Sequence, residues 1–367
     1  MKVMHILDSL NRGGAETLSL DVCRNASDNK LDLTFVATGT GDLENDFRNS
    51  GVEFIQLHRT LPVDLRLAAR LHRIIVDRGI ELVHVHQAVE GLHAYLATRG
   101  SNVKRVMTFH GSAADAKNRV ALRFLVPRMH ANIAVSNHLL QSLAAGGIDT
   151  RQRFQVIHNG VDPKRLDSSS SDLRAELGLN REALLIGMVG NFYPESPKDQ
   201  LTVCRALPLV LQNVSNAHLV FAGGVVDGAS SQLDQCAESC RRENISDHVH
   251  FLGKRTNVAD VLSALDIYVQ SSRNDALPLA VIEALLKGLP VIVSDIGSLI
   301  EVTDQGKCAS VFRTGDAEHL AEQIIDLARE KSRRNELGAR GREWARKQFG
   351  IDAHVQRLRT LYQSLLS

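Results

Sequence analysis

Two acidic residues stand eight positions apart in SSRNDALPLAVIEALLKGLPVIVSDIG: Asp275 in a proline-containing turn, and Glu283 in the helical stretch that follows. A carboxylate in such a loop can accept hydroxyl protons from a sugar, and one in the next helix can accept both hydroxyls of a ribose. The amides of Leu279 and Ala280, at the start of that helix, are suited to a diphosphate, because a helix N-terminus carries unpaired N–H groups and positive partial charge. Two carboxylates, two hydroxylated rings and a charged bridge describe a nucleotide sugar. The spacing alone equally fits Glu283 as a solvated helix residue.

A second candidate lies in ILDSLNRGGAETLSLDV, where Gly13 and Gly14 separate a strand from a helix carrying Glu16 in its first turn. Paired glycines let backbone amides approach a phosphate or a sugar, although a plain tight turn uses the same residues. Neither G-x-G-x-x-G nor G-x-x-x-x-G-K-[ST] occurs, which argues against nicotinamide and P-loop sites. His84 and His86 alternate onto one strand face, but no third ligand is spaced with them, so no metal is expected. Cys236 and Cys240 share a helix face as small helix residues. With five cysteines and no C-x-x-C, the chain lacks the pattern of a disulfide framework, which fits a reducing compartment.

The elements that must position these residues follow a single rhythm. Apolar runs KVMHIL, LDLTFVA, VEFIQL, LVHVH, RVMTFH and NIAVS alternate with helical stretches, and LLIGMVG, HLVFAG, VHFLG, IYVQS and PVIVS repeat the pattern. Strands apolar throughout and separated by helices predict parallel sheets covered on both faces. Two series predict an α/β chain of two Rossmann-like doubly wound domains, residues 1–160 and 161–351, hinged at Asn159 to Arg165 and binding ligand in the cleft between them. The final stretch, 352–367, places Val355, Leu358, Leu361, Tyr362 and Leu365 at helical spacing, which predicts a helix packing back on the first domain.

Length and composition agree. The 367 residues exceed what one core usually serves, and 44% are hydrophobic. Lys and Arg number 43 against 42 Asp and Glu, a net charge of +1, so no global field exists to grip nucleic acid. His5 and Asp8 interrupt the N-terminal apolar stretch too early for a secretory signal, and no apolar run approaches the length of a spanning helix. The expected location is cytoplasmic, with contact at the inner face of the cell membrane the peripheral option.

The segment from Asp275 to Glu283 resembles the E-x7-E region of the retaining family 4 glycosyltransferases of the GT-B superfamily. GGAE after the first strand, TFHG at Thr108 to Gly111, VSNHL, VIHNGVD, GNFYPESPKDQ, LVFAGG and FLGKRTNVADVLSALDIYVQSS match in the same order over nearly the whole chain. The resemblance implies transfer of a sugar from a nucleoside diphosphate sugar, UDP- or GDP-linked, to a hydroxyl acceptor. It implies retention at the anomeric carbon, no required cofactor or metal, and a role in cell-surface polysaccharide or glycolipid synthesis. It assigns donor binding to the second domain and the acceptor, a glycan or lipid-linked molecule, to the first. Glu283 would hold the donor ribose, Asp275 the sugar hydroxyls and Lys198 the phosphate, while His110 would reach the donor sugar and Gly14 would lie close to the transferred group.

Two departures from the family pattern stand out. Asp275-Ala276 replaces Glu-Gly, with a methylene less of reach, and Asn191 replaces an Arg, so one phosphate cation is missing; Arg255 and Arg273 are candidate substitutes. A nucleotide-sugar-binding protein that has lost turnover through these changes is the alternative reading, and a nicotinamide-dependent oxidoreductase a more distant one. For the acceptor side, Arg66, Arg70 and Arg73 form one helical stripe beside Leu67, Leu71, Ile74 and Ile75. Lys117, Arg119, Arg123 and Arg128 lie among Phe124, Leu125 and Val126. Cationic amphipathic helices of this kind suit an anionic membrane surface, and equally an ordinary solvated outer face.

Overall fold

A computed structural model describes residues 1–111, 116–151, 153–167, 171–195 and 197–367, with the side chains of residues 116–118 also outside the description. Strands β1 (Lys2–Leu7), β2 (Asp32–Ala37), β3 (Glu53–Gln56), β4 (Leu82–Val85), β5 (Lys104–Phe109), β6 (Ala131–Ala134) and β7 (Phe154–Val156) form one sheet in the order β3-β2-β1-β4-β5-β6-β7. A second sheet contains β8 (Leu184–Val189), β9 (Ala217–Ala222), β10 (Val249–Phe251), β11 (Ile267–Gln270), β12 (Val291–Ser294) and β13 (Ser310–Phe312). Its order is β10-β9-β8-β11-β12-β13. Every pairing between these strands is parallel. Both sheets therefore have the doubly wound Rossmann order expected from the sequence. Each reverses direction of winding at one point, between β1 and β4 and between β8 and β11, where the ends of adjacent strands leave a crevice for ligand.

The chain divides into two compact units, Met1–Val161 with Phe349–Ser367, and Asp162–Gln348. The return to the first unit starts at Phe349, before residue 352, because the backbone locks there. The Val161 N–H donates to the Phe349 carbonyl at 2.8 Å and the Ile351 N–H donates to the Val161 carbonyl at 3.0 Å. Helix Ile351–Leu366 buries Val355, Leu358, Leu361 and Tyr362, so its apolar stripe is spent on the first unit. Gly160 lies under this crossing: a Cβ there would stand 2.6 Å from the His354 Cβ.

Local chemistry fixes where the helices begin and end. Asp64 caps helix Leu65–Arg78 by accepting the Arg66 and Leu67 N–H groups, and Gly79 closes it in the left-handed region at φ 62°. Helix Leu279–Lys287 starts after Pro278, with no side chain capping its first turn, and ends on Gly288 at φ 78°. The core of the second unit joins residues from β8, β9 and β11, among them Ile186, Met188, Phe221 and Val269, to Leu207, Val210, Leu320 and Ile324 from the covering helices. All five cysteines are buried as free thiols. Among the described residues, no helix is long and apolar enough to cross a membrane.

Candidate functional site

In the second unit the chemistry gathers at the carboxyl ends of β8 and β11. The segment after β8 runs antiparallel to the segment after β11: Lys198 bridges Ser272, the Asp199 N–H donates to the Ser271 carbonyl at 2.9 Å, and the Arg273 N–H donates to the Pro197 carbonyl at 2.8 Å. This stitching brings Lys198 and Asp275, far apart in sequence, into an ion pair whose side chains are both largely buried. The aliphatic stem of Lys198 lies along Gly190, where an added Cβ would sit 3.6 Å from Cε. Asp275 Oδ2 also faces the Ser272 hydroxyl at 3.4 Å. Behind it runs a buried row in which the Tyr268 hydroxyl donates to Gln270 at 2.6 Å and the Gln270 amide to Ser272 at 3.0 Å.

Glu283 is buried, with its side chain 6% exposed, and pairs with Arg165. The solvated-helix alternative is thereby excluded. A carboxylate at that depth needs a cation or several donors to stay ionised. Arg165 is expected from the sequence only as the end of the hinge, and no local signal marks its pairing with Glu283. Leu279 and Ala280 open the helix that carries Glu283, so the uncapped amides and the carboxylate share one rigid element.

The Asn191 departure has a physical explanation, and both candidate arginines have partners. Asn191 Oδ1 accepts the Gly224 N–H at 2.9 Å, a bond that a guanidinium, having no acceptor, could not make. The loops after β8 and β9 approach so closely here that a Cβ on Gly223 would lie 2.1 Å from the Gly190 carbonyl oxygen. Arg255 is bound to Glu176 through both terminal nitrogens, and Arg273 to Asp199 at 3.0 Å. Each is therefore held by a carboxylate, as Lys198 is.

In the first unit, Gly14 is the first residue of helix Gly14–Arg24, and Gly13 precedes it as an extended cap. The Glu16 carboxylate folds back over Gly13, 2.6 Å from where a Cβ would stand. Burial holds the Glu16 carboxyl above its ordinary range. His110 follows β5 and is half-buried, and its Nε2 lies 3.0 Å from His86 Nδ1. Burial pushes its pKa down to about 4, so the ring is neutral at physiological pH.

His84 and His86 acquire a third neighbour that the sequence spacing concealed. His5 on β1 pairs in register with His84 on β4, and reactive nitrogens of His5, His84 and His86 all lie within 4.8 Å of one another. The six ring nitrogens of these three residues are all used in hydrogen bonds, to Tyr362, Thr108, His110 or one another. A metal would have to displace that network.

The acceptor-side stripes are partly as expected. Arg66, Arg70 and Arg73 are exposed on helix Leu65–Arg78, while Leu67, Leu71 and Ile75 are buried. Leu61, Val63 and Leu65, beside this stripe, are 59%, 52% and 68% exposed. On helix Ala116–Leu125, Val120 and Phe124 are exposed, with the Arg128 guanidinium 3.7 Å from the Phe124 ring centre. Leu125 and Val126 face the core, and the Lys117 side chain lies outside the described residues.

Comparison with known proteins adds an independent line. Residues 12–165 match the family model described as Glycosyltransferase Family 4, and residues 169–344 match that described as Glycosyl transferases group 1. The chain is 24% identical over 369 residues to N-acetyl-alpha-D-glucosaminyl L-malate synthase of Bacillus anthracis, covering 96% of this chain and 94% of that protein. It is also 24% identical to the UDP-Gal:alpha-D-GlcNAc-diphosphoundecaprenol alpha-1,3-galactosyltransferase of Escherichia coli, covering 83% and 85%. Among solved structures, a glycosyltransferase from Rickettsia africae superposes with a TM-score of 0.86 at 17% identity, covering 100% of this chain and 98% of that one. Anabaena Alr3699/HepE in complex with UDP and glucose superposes with a TM-score of 0.84 at 20% identity, covering 99% and 100%.

Proposed function

Because the chain belongs to the family 4 type of GT-B glycosyltransferases, we propose that it moves a sugar from a nucleoside diphosphate sugar to a hydroxyl acceptor, with retention at the anomeric carbon and without a metal. The observation that carries this reading is the pairing of two cations with two carboxylates, Lys198 with Asp275 and Arg165 with Glu283, on the loop and helix that follow β11. A neutral assembly of this kind can exchange its internal partners for a ligand's phosphates and hydroxyls. Glu283 takes the ribose, Asp275 the sugar hydroxyls, and Lys198 with the Leu279 and Ala280 amides the diphosphate. Asn191 shapes the phosphate loop, and Gly14 and His110 attend the transferred sugar.

In the reaction the bond between the anomeric carbon and the diphosphate oxygen breaks, and the acceptor oxygen bonds to the same face. The acceptor proton passes to the departing phosphate. Negative charge grows on the diphosphate as the bond lengthens, so a fixed cation there stabilises the transition state more than the bound donor. The solved neighbour holding UDP and glucose supports a UDP-sugar as donor, and GDP-sugars remain in the proposed class. The relatives named for transfer to malate and to a diphosphoundecaprenol-linked sugar support a small-molecule, glycan or lipid-linked acceptor. No observation favours the binding-protein or oxidoreductase alternatives.

The test is a thermal-shift panel of uridine, guanosine and adenosine diphosphates and their sugars, followed by assay of free nucleoside diphosphate. We expect one base to raise the melting temperature, and diphosphate release to require an acceptor and to survive chelation. Failure of every nucleotide to stabilise the chain would remove the donor assignment.

The exposed Leu61, Val63 and Leu65 beside Arg66, Arg70 and Arg73 support docking on an anionic membrane surface, where a lipid-linked acceptor would be met. The chain is expected to float with vesicles containing anionic lipid and to stay behind with neutral ones. The triple variant Arg66→Glu, Arg70→Glu, Arg73→Glu should abolish flotation; if it floats equally well, the stripe is only a solvated face.

A further inference from the structure

The histidines of the first unit form more than a cluster. Among the described residues their contacts make one unbranched line: Thr108 Oγ1 to His84 Nε2 at 2.7 Å, His84 Nδ1 to the Tyr362 hydroxyl at 2.5 Å, and that hydroxyl to His5 Nε2 at 3.0 Å. His5 Nδ1 then meets His86 Nε2 at 3.4 Å, the longest link, and His86 Nδ1 meets His110 Nε2 at 3.0 Å. Thr108, His84, Tyr362, His5 and His86 are all buried, and the line ends at half-buried His110.

A neutral imidazole has one donor and one acceptor and a hydroxyl a single proton, so once the Tyr362 O–H is assigned to one neighbour the direction of every other bond follows. Burial lowers every ring's pKa, to about 3 for His5, about 4 for His110 and well below the ordinary value for His84 and His86, which keeps the rings neutral. The two contacts of His84 select the direction. His84 meets two hydroxyls but, being neutral, has one acceptor nitrogen, so only one of them donates to it. The shorter contact, 2.5 Å to Tyr362, takes the O–H, the 2.7 Å contact to Thr108 is Nε2–H donating, and the 3.0 Å contact is His5 Nε2–H donating to the tyrosine oxygen. His86 Nε2–H then donates to His5, and His110 Nε2–H donates to His86.

We infer that Thr108, His84, Tyr362, His5 and His86 act as a single positioning chain that holds His110 as its Nε2–H tautomer and leaves Nδ1 as an acceptor. In catalysis this aims a lone pair, not a proton, at a hydroxyl of the transferred sugar; that consequence rests on the function proposed above, while the tautomer itself does not. The arrangement also gives the C-terminal helix a task, since Tyr362, contributed from the far end of the chain, sets the direction for the whole line.

The test is nitrogen NMR of histidine-labelled protein, with the His110 signals identified by their loss in His110→Gln. In the wild-type chain His110 should show a protonated Nε2 and a bare Nδ1 without any substrate. Tyr362→Phe removes the O–H that sets the direction, and Thr108→Val removes the terminal acceptor. Each deletes about one hydrogen bond's worth of bias, so the tautomer ratio of His110 should fall by about tenfold. Thr108→Val supplies the same readout if Tyr362→Phe does not fold. A protonated Nδ1 in the wild type, or an unchanged ratio in a folded variant, would overturn the inference. So would stoichiometric zinc in the purified chain. Because the readout needs no turnover, absence of glycosyl transfer would count against the proposed function and leave the tautomer result standing.

Discussion

Glu283→Gln should weaken binding of the nucleoside diphosphate by about 100-fold while leaving the second unit folded. Glu283 is buried on helix Leu279–Lys287 against Arg165. In the proposed complex its carboxylate accepts two ribose hydroxyls, and hydrogen bonds to a charged group contribute about 1.5–3 kcal/mol each. An amide keeps one oxygen and the volume but loses the charge, so a loss of about 3 kcal/mol is expected, equivalent to roughly 100-fold in Kd. Alanine is the poorer choice. It would leave the Arg165 guanidinium buried without its partner, and such a break costs about 3–5 kcal/mol of stability, which would obscure the binding effect. Calorimetry with the diphosphate identified by the thermal-shift panel checks the result; an unchanged Kd takes the ribose away from Glu283.

Lys198→Met is expected to cut turnover by about 10²–10³-fold, the range found when one transition-state donor is removed, with a much smaller change in donor affinity. Methionine preserves the stem that lies along Gly190 and removes only the ammonium. The variant also strips Asp275 of its counter-ion, placing an unbalanced carboxylate near the leaving phosphate. The double variant Lys198→Met, Asp275→Asn separates the two effects: if turnover partly recovers, the residual carboxylate was repelling the diphosphate, and the coupling between the sites can be read from the cycle. Single-turnover kinetics are the appropriate measurement. Turnover within twofold of wild type would assign the leaving group to another cation.

The architecture was legible because it is written in short-range patterns. Eleven apolar runs alternating with helical stretches identify every strand but one in each sheet. The two missed were β7 and β13, edge strands of three residues each; β10 is as short but is flanked by the recognisable apolar run VHFLG. The donor half of the candidate site was legible in part, since Asp275, Leu279, Ala280 and Glu283 are close in sequence and a helix period relates them. Arg165 was not, because its partner is more than a hundred residues away and nothing local marks it. The histidine line was hidden for the same reason. His84 and His86 reveal themselves by alternation, but His5 joins them only through the β1–β4 register, and Tyr362 only through the return of the last helix. The carboxylate partners of Arg255 and Arg273 were likewise invisible, because a sequence does not tell which charges face one another.

That commitment of charges has a consequence for selectivity. Lys198 and Arg165 each face a buried carboxylate, so in the proposed site a bare polyanion such as inorganic phosphate or pyrophosphate must break an existing pair and leave an acid stranded. A molecule that brings hydroxyls along with its phosphates releases the acids and bases together. On the proposed reading the paired charges therefore act as a lock against simple anions, opened by a key with teeth of both kinds.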